Sequence, residues 1–273
     1  MLFMLYNSAQ LYCQATKRAK KVLLYIYIYM FCYASRCLDG AAWLIEQGAE
    51  VNKRSFLSQQ LEDESWTPLH MAATLGSLSI VRMLVQHGAQ IDAMTATGET
   101  VMSLALDKAG SCCESLHVVS YLIQVNAPLQ SVPGMSFLIK PKLEEAVAND
   151  WTMLDFVVFS ANTAAVDVLL RSGHFLGRVP KVSEFLHAVM RRMSSQQRRA
   201  MKLVEDFAAR KGAPTLQSLC RDSLRAACGL RLLQYVATTV MPGRLRSFLL
   251  LEDVLGPVDR RDGVELEGES LPS

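Results

Sequence analysis

The sequence predicts an all-α fold, with consecutive helix pairs followed by a three-helix C-terminal unit. Three observations carry this. One is a helix–turn–helix motif at Thr67–Ala89 with weaker copies on either side. Another is an apolar stripe at Leu216, Cys220 and Leu224, four residues apart and so on one helical face. The last is a proline-started turn at Pro242 that leads into Leu245, Phe248 and Leu249.

Along the chain, residues 1–36 come first. Lys17, Arg18, Lys20 and Lys21 precede thirteen apolar residues, Val22–Ala34, too few to span a bilayer. A basic region before a short apolar run suits a signal peptide, but secretion conflicts with the rest of the chain. The segment is expected to be a disordered extension or an artefact of the gene model.

The repeats are expected over 37–178, about four in number and degenerate. Ala41–Asn52 reads as a second helix with its exit turn. Thr67, Pro68, Leu69 and His70 open the next pair, with Pro68 where a missing N–H costs nothing. Gly76 allows the turn between the helices and Gly88 ends the second one. Gly98–Ala105 and His117–Ile123 form a third pair, and Asn126 takes the left-handed position after it. Thr152–Gly173 keeps the internal spacing of Thr67–Gly88, with Asp155 for His70 and Ala161 for Gly76. The exit turns lie 40, 38 and 47 residues apart, at Gly48, Gly88, Asn126 and Gly173. An ideal pair repeats at about 33 residues, so insertions are expected at 53–65, 108–113 and 131–150. Two capping helices are expected over 179–212, one through Phe185, Leu186, Val189, Met190 and Met193, the other through Ala200, Leu203, Val204, Phe207 and Ala208. A stack of repeats otherwise exposes an apolar end.

The pattern Thr67-Pro68-Leu69-His70 through Gly76 to Gly88-Ala89 resembles an ankyrin repeat. That resemblance implies a protein-binding solenoid in which His70 is a structural hydrogen bonder between repeats. The segment 213–253 resembles a SOCS box. Thr215, Leu216, Cys220 and Leu224 fill its elongin-binding pattern, with Leu219 widening the stripe and Arg221 after the Cys also family-like. Met241, Pro242, Leu245, Phe248 and Leu249 correspond to its cullin-binding part; Thr239 and Val240 stand where Leu and Pro are usual, and Phe248 where Tyr is usual. Together the two resemble the ankyrin-repeat-and-SOCS-box family. The family implies a non-catalytic substrate adaptor of a cullin–RING ubiquitin ligase. Its expected partners are elongin C with elongin B, cullin five with its RING-box protein, and a target protein held by the repeats. Two alternatives stay open: an ankyrin interaction scaffold with no ligase role, and a regulator that uses elongins without cullin.

Physical chemistry requires a cover for the apolar stripe at 213–253, either the rest of this chain or a partner's groove. A piece of about forty residues cannot bury enough apolar surface to be stable alone. A Cys amid such a stripe behaves as a small hydrophobe and suits a pocket that Leu would overfill. An ordinary core helix shows the same spacing, and a core helix would have its stripe buried against this chain.

Composition narrows the rest. A net charge of +2 over 273 residues gives no strong field toward nucleic acid or membrane. Seven cysteines without regular pairing suit a reducing compartment, so the expected location is the cytoplasm, with the nucleus also open. No phosphate-cradling Gly-rich loop or nucleophile elbow is present. Cys113 and His117 lie one turn apart without a second ligand pair, so no metal or other cofactor is expected. Arg191, Arg192, Arg198, Arg199 and Lys202 form a basic cluster that reads as a solvated helix face. The tail 254–273 is acidic, Gly/Pro-punctuated and expected to be disordered.

Overall fold

The computed structural model describes residues 37–56, 65–96, 98–109, 113–129, 153–172, 194–210 and 215–256. The extension 1–36, the insertion 131–150, the expected helix at 185–193 and the tail beyond 256 lie outside them. Four successive layers can be followed. Helix α1 (Cys37–Glu46) is the second helix of the first layer. Then come the pairs α2 (Pro68–Thr74) and α3 (Leu78–Gln86), α4 (Val101–Ala109) and α5 (Cys113–Gln124), and α6 (Met153–Phe159) and α7 (Thr163–Arg171). Each layer packs on the next, α1 on α3, α2 on α4, α3 on α5, then α4 on α6 and α5 on α7. Among the described residues, the strands that depart from an all-α chain are a two-residue antiparallel pair bracketing the first insertion, β1 (Ser55–Phe56) with β2 (Ser65–Trp66).

One turn geometry recurs throughout. After α1, α2, α3, α5 and α6 the chain places one residue at positive φ: Gly48, Gly76, Gly88, Asn126 and Ala161. The next N–H then bonds back to the carbonyl five residues earlier, as Ala49 to Leu44, Ser77 to Ala72, Ala89 to Leu84, Ala127 to Leu122 and Asn162 to Val157. These are Schellman caps, and they satisfy carbonyls that a helix end leaves orphaned. Gly76 is doubly constrained, because a Cβ there would stand 2.7 Å from Ser115 Oγ.

The start of α2 is equally determined. The Thr67 hydroxyl accepts the His70 N–H at 3.4 Å, and His70 Nδ1 accepts the Thr67 N–H at 3.1 Å, a reciprocal capping box. With Nδ1 accepting, the ring proton sits on Nε2 and is donated to the Ala93 carbonyl at 3.1 Å, on the approach to the next layer. Thr100 lies 33 residues after Thr67, and there Ser103 replaces the His. Its Oγ still accepts the Thr100 N–H at 2.9 Å, so the cap survives while the long imidazole arm is absent. Asn52 ties the first exit turn to the second, donating to Gly88 O at 3.0 Å and accepting from Gln90 N at 2.8 Å.

Helix α8 (Ser195–Arg210) covers α6 and α7 with Ala200, Met201 and Val204, while Leu203, expected on its inner side, is exposed. The chain then forms α9 (Leu216–Cys228), a 3-10 turn at Gly229–Arg231, α10 (Leu232–Thr238), α11 (Gly243–Leu249) and α12 (Glu252–Leu255). Leu232, Val236, Leu250 and Leu251 join the same hydrophobic core as the repeats. Leu251 joins α11 to α12 at φ +55 with its side chain fully enclosed, so burial offsets an unfavourable backbone.

Two predictions follow from these turns and caps. Burial holds the His70 imidazole down at about 4, against 6.5 when free. Between those values the unfolded chain binds more protons, so stability is full above pH 6.5 and falls as pH drops toward 4. The loss from this residue is up to about 3 kcal/mol; denaturant midpoints across that range should show it, and His70→Gln should flatten the dependence. Ala161→Gly should raise stability by up to about 1 kcal/mol in the same assay, because the positive φ costs an alanine more than a glycine.

A candidate partner-docking helix

Helix α9 starts at Thr215, whose hydroxyl accepts the Ser218 N–H at 3.1 Å. At about 100° per residue, Leu216, Leu219, Cys220 and Leu224 share an arc of roughly 140°, and Arg225 lies almost opposite its centre. The structure turns the apolar arc outward. Leu216 is 78% exposed, Leu224 47%, and Leu219 and Cys220 are exposed as well. Facing the body of the protein are Ser218, Arg221, Asp222, Arg225 and Cys228, and of the thirteen residues only Arg225 is buried. The usual amphipathic order, apolar inside and polar outside, is reversed.

What holds such a helix is polar. Arg225 reaches the end of α5, donating to the Ile123 carbonyl at 2.5 Å and the Gln124 carbonyl at 3.3 Å, and also to Leu249 O at 2.5 Å in α11. The Ile123 and Gln124 carbonyls both lie at the negative end of the α5 dipole, where a cation is favoured; Ile123 O also accepts the Asn126 N–H at 3.0 Å. Burial, more than repulsion from Arg221, pulls the guanidinium down to about 10, so it stays charged at neutral pH. The exchange is reciprocal. Asn126, the left-handed cap of α5, donates its amide to Arg225 O at 3.1 Å and Gly229 O at 2.8 Å, at the end of α9. Gln124 adds a bond to Gly256 O at 2.6 Å beyond α12.

Arg221 makes a second attachment. Its guanidinium lies 4.7 Å from the Phe248 ring centroid and pairs with Asp253 at 3.0 Å, joining α9 to α11 and α12. The residues read as cullin-binding therefore divide. Pro242 and Leu245 are exposed, and Met241 and Phe248 are half-buried. Leu249 needs correcting as a docking residue: at 3% exposure it packs inward and faces no partner in the chain alone. Seven of the nine large apolar side chains that stand exposed among the described residues lie between Leu216 and Leu245; Met94 and Leu203 are the others. These side chains make the C-terminal helices a candidate docking surface.

Elsewhere the described residues offer little chemistry. No group of three or more metal-ligating side chains is found among them, and no helix among them is long and apolar enough to cross a membrane. His117 is exposed on α5; the side chain of Cys113 lies outside what is described. His70 is occupied by its cap and by Ala93. Arg198, Arg199 and Lys202 face solvent on α8, while Arg191 and Arg192 fall outside the described residues. Sequence reasoning missed Arg225 and the side-chain role of Asn126. A positive-φ asparagine was readable from the cap pattern, but nothing local marks its amide as a clasp.

Comparison with known proteins agrees with the layered helix pairs. A family model described as "Ankyrin repeats (3 copies)" matches residues 29–132. The human "Ankyrin repeat domain-containing protein 37" is 36% identical over 63 residues, which is 23% of this chain and 35% of that protein. This chain thus spans about a third of the length of the curated relative it matches. The pair α6–α7 lies beyond the matched span yet repeats the turn and stacking of its predecessors. The layers from α1 to α5 are therefore ankyrin repeats, and the chain carries three matched copies of them.

Proposed function

We propose that this chain is the substrate-recognition adaptor of an elongin BC–cullin five–RING ubiquitin ligase. In this reading the helix α9 docks on elongin C through Leu216, Leu219, Cys220 and Leu224. Elongin B comes with elongin C, and the face around Met241, Pro242 and Leu245 recruits cullin five with its RING-box protein. The ankyrin layers hold the target. The chain breaks no bonds itself; it raises the effective concentration of target lysines near the charged conjugating enzyme. Such a chain works in the cytoplasm or nucleus, where thiols such as Cys220 stay reduced.

The observation that supports this reading best is the outward stripe. A helix serving only to cap the stack would turn Leu216 and Cys220 inward, and both are exposed. Full burial of one leucine is worth roughly 1.5–3 kcal/mol, so an apolar stripe left in water is a reservoir of binding energy for a grooved partner. A second reading, elongin binding without cullin, has its own support. Phe248 is engaged by Arg221 and Leu249 is enclosed, while Thr239 and Val240 depart from the expected Leu and Pro. An ankyrin scaffold with no ligase role is equally compatible with the matched repeats.

Because the stripe is exposed, the double substitution Leu216→Asp with Cys220→Phe should shift the unfolding free energy by no more than about 0.5 kcal/mol, measured by denaturant titration. The same variant tests the function. Wild type should capture elongins B and C with cullin five in a pull-down, and the variant should capture none. Elongins without cullin would select the second reading, and capture of none by wild type would leave the scaffold.

A further inference from the structure

The reversed polarity of α9 raises a mechanical question: why the helix does not roll about its axis and bury its own leucines. Rolling would place Leu216, Leu219 and Leu224 against the body, and the hydrophobic effect favours it without regard to direction. Hydrogen bonds, in contrast, are directional. The single buried side chain of α9 sits opposite the stripe and is fixed to three carbonyls on two other helices, Ile123, Gln124 and Leu249. From the other side, the Asn126 amide grips the Arg225 and Gly229 carbonyls. A roll that turned the stripe inward would carry Arg225, almost opposite its centre, out toward solvent, break all of these bonds and leave the Gln124 and Leu249 carbonyls without this donor, which is costly. Arg221 is a second inner attachment, through its partly exposed ion pair with Asp253 and its contact with the Phe248 ring.

We infer that Arg225, clasped by Asn126, sets the rotation of α9 and keeps its apolar stripe facing outward, so that the docking surface is preformed before any partner arrives. Arg225 acts here as a positioning residue. That the preformed surface serves elongin C rests on the function proposed above; the rotation itself does not.

The stripe carries its own probe, the exposed thiol of Cys220. Full-length wild type and Arg225→Met would be alkylated with iodoacetamide, the Cys220 peptide quantified by mass spectrometry, and folding checked by thermal melting. In a cooperatively melting Arg225→Met, alkylation of Cys220 should slow about ten-fold or more, the population shift that burial of one leucine supports. A residue that merely stabilised the helix would give the opposite sign, since detaching α9 exposes the thiol further. An unchanged or faster rate in that folded variant overturns the inference. Should Arg225→Met not melt cooperatively, Asn126→Gly decides in its place. It keeps the positive φ and removes both amide bonds, and Cys220 should slow there too; an unchanged or faster rate would again overturn the inference. In parallel, Arg225→Met should capture less of elongins B and C than wild type. If wild type captures none while the thiol slows, the ligase reading fails and the rotational role stands.

Discussion

The exchange between Arg225 and the end of α5 is the contact on which the C-terminal third depends. Two helix ends meet there, and each supplies the other with what a terminus lacks. Arg225 brings a cation and donors to the carbonyls of Ile123 and Gln124; Asn126 brings an amide to the carbonyls of Arg225 and Gly229. Orphan carbonyls buried between packed helices are costly when unsatisfied. Here Gln124 O gains its donor from Arg225, while the carbonyls of Ile123, Arg225 and Gly229, each already bonded to a backbone N–H, accept a second bond. An apolar joint would have consumed the leucines of α9, whereas a polar joint leaves them free.

The same economy runs through the repeats. Five turns share one Schellman geometry, yet only three of their left-handed residues are glycine. At Asn126 the departure adds a clasp that glycine could not provide. At Ala161 no such gain is seen, and the turn carries the cost of a methyl group at positive φ. His70 and Ser103 occupy the same position in consecutive layers, and both close the helix cap. Only the imidazole is long enough to reach across to Ala93 as well.

Much of this was legible in the sequence because it is local. The Pro68 start, the glycines at 48, 76 and 88, the Asn126 stand-in and the 33-residue step from Thr67 to Thr100 each leave a mark within a few positions. The stripe of α9 was legible as a period, but its direction was not, since Leu and Cys four apart look alike whether they face a core or a partner. Arg225, which we infer decides the direction, is in the sequence one of two arginines on its helix. The inward turn of Leu249 left no local mark either: it is set by tertiary packing, and its carbonyl accepts from Arg225 on another helix. The strand pair at Ser55–Phe56 and Ser65–Trp66 is too short to leave an alternation.

Repeat stacks are ordinarily one-dimensional: each layer touches its neighbours, and the array can fray from either end. The clasp at Asn126 changes that connectivity. It joins residues 99 and 103 positions apart, and the bond from Gln124 to Gly256 spans 132. The last helices therefore return to the third layer as well as touching the fourth pair, where α12 packs on α7, and so close a long loop in what would otherwise be an open array. Loop closure of this length is entropically unfavourable until the third layer exists to receive it. Once the loop is closed, releasing these helices uncovers the end of α5 in the middle of the stack as well.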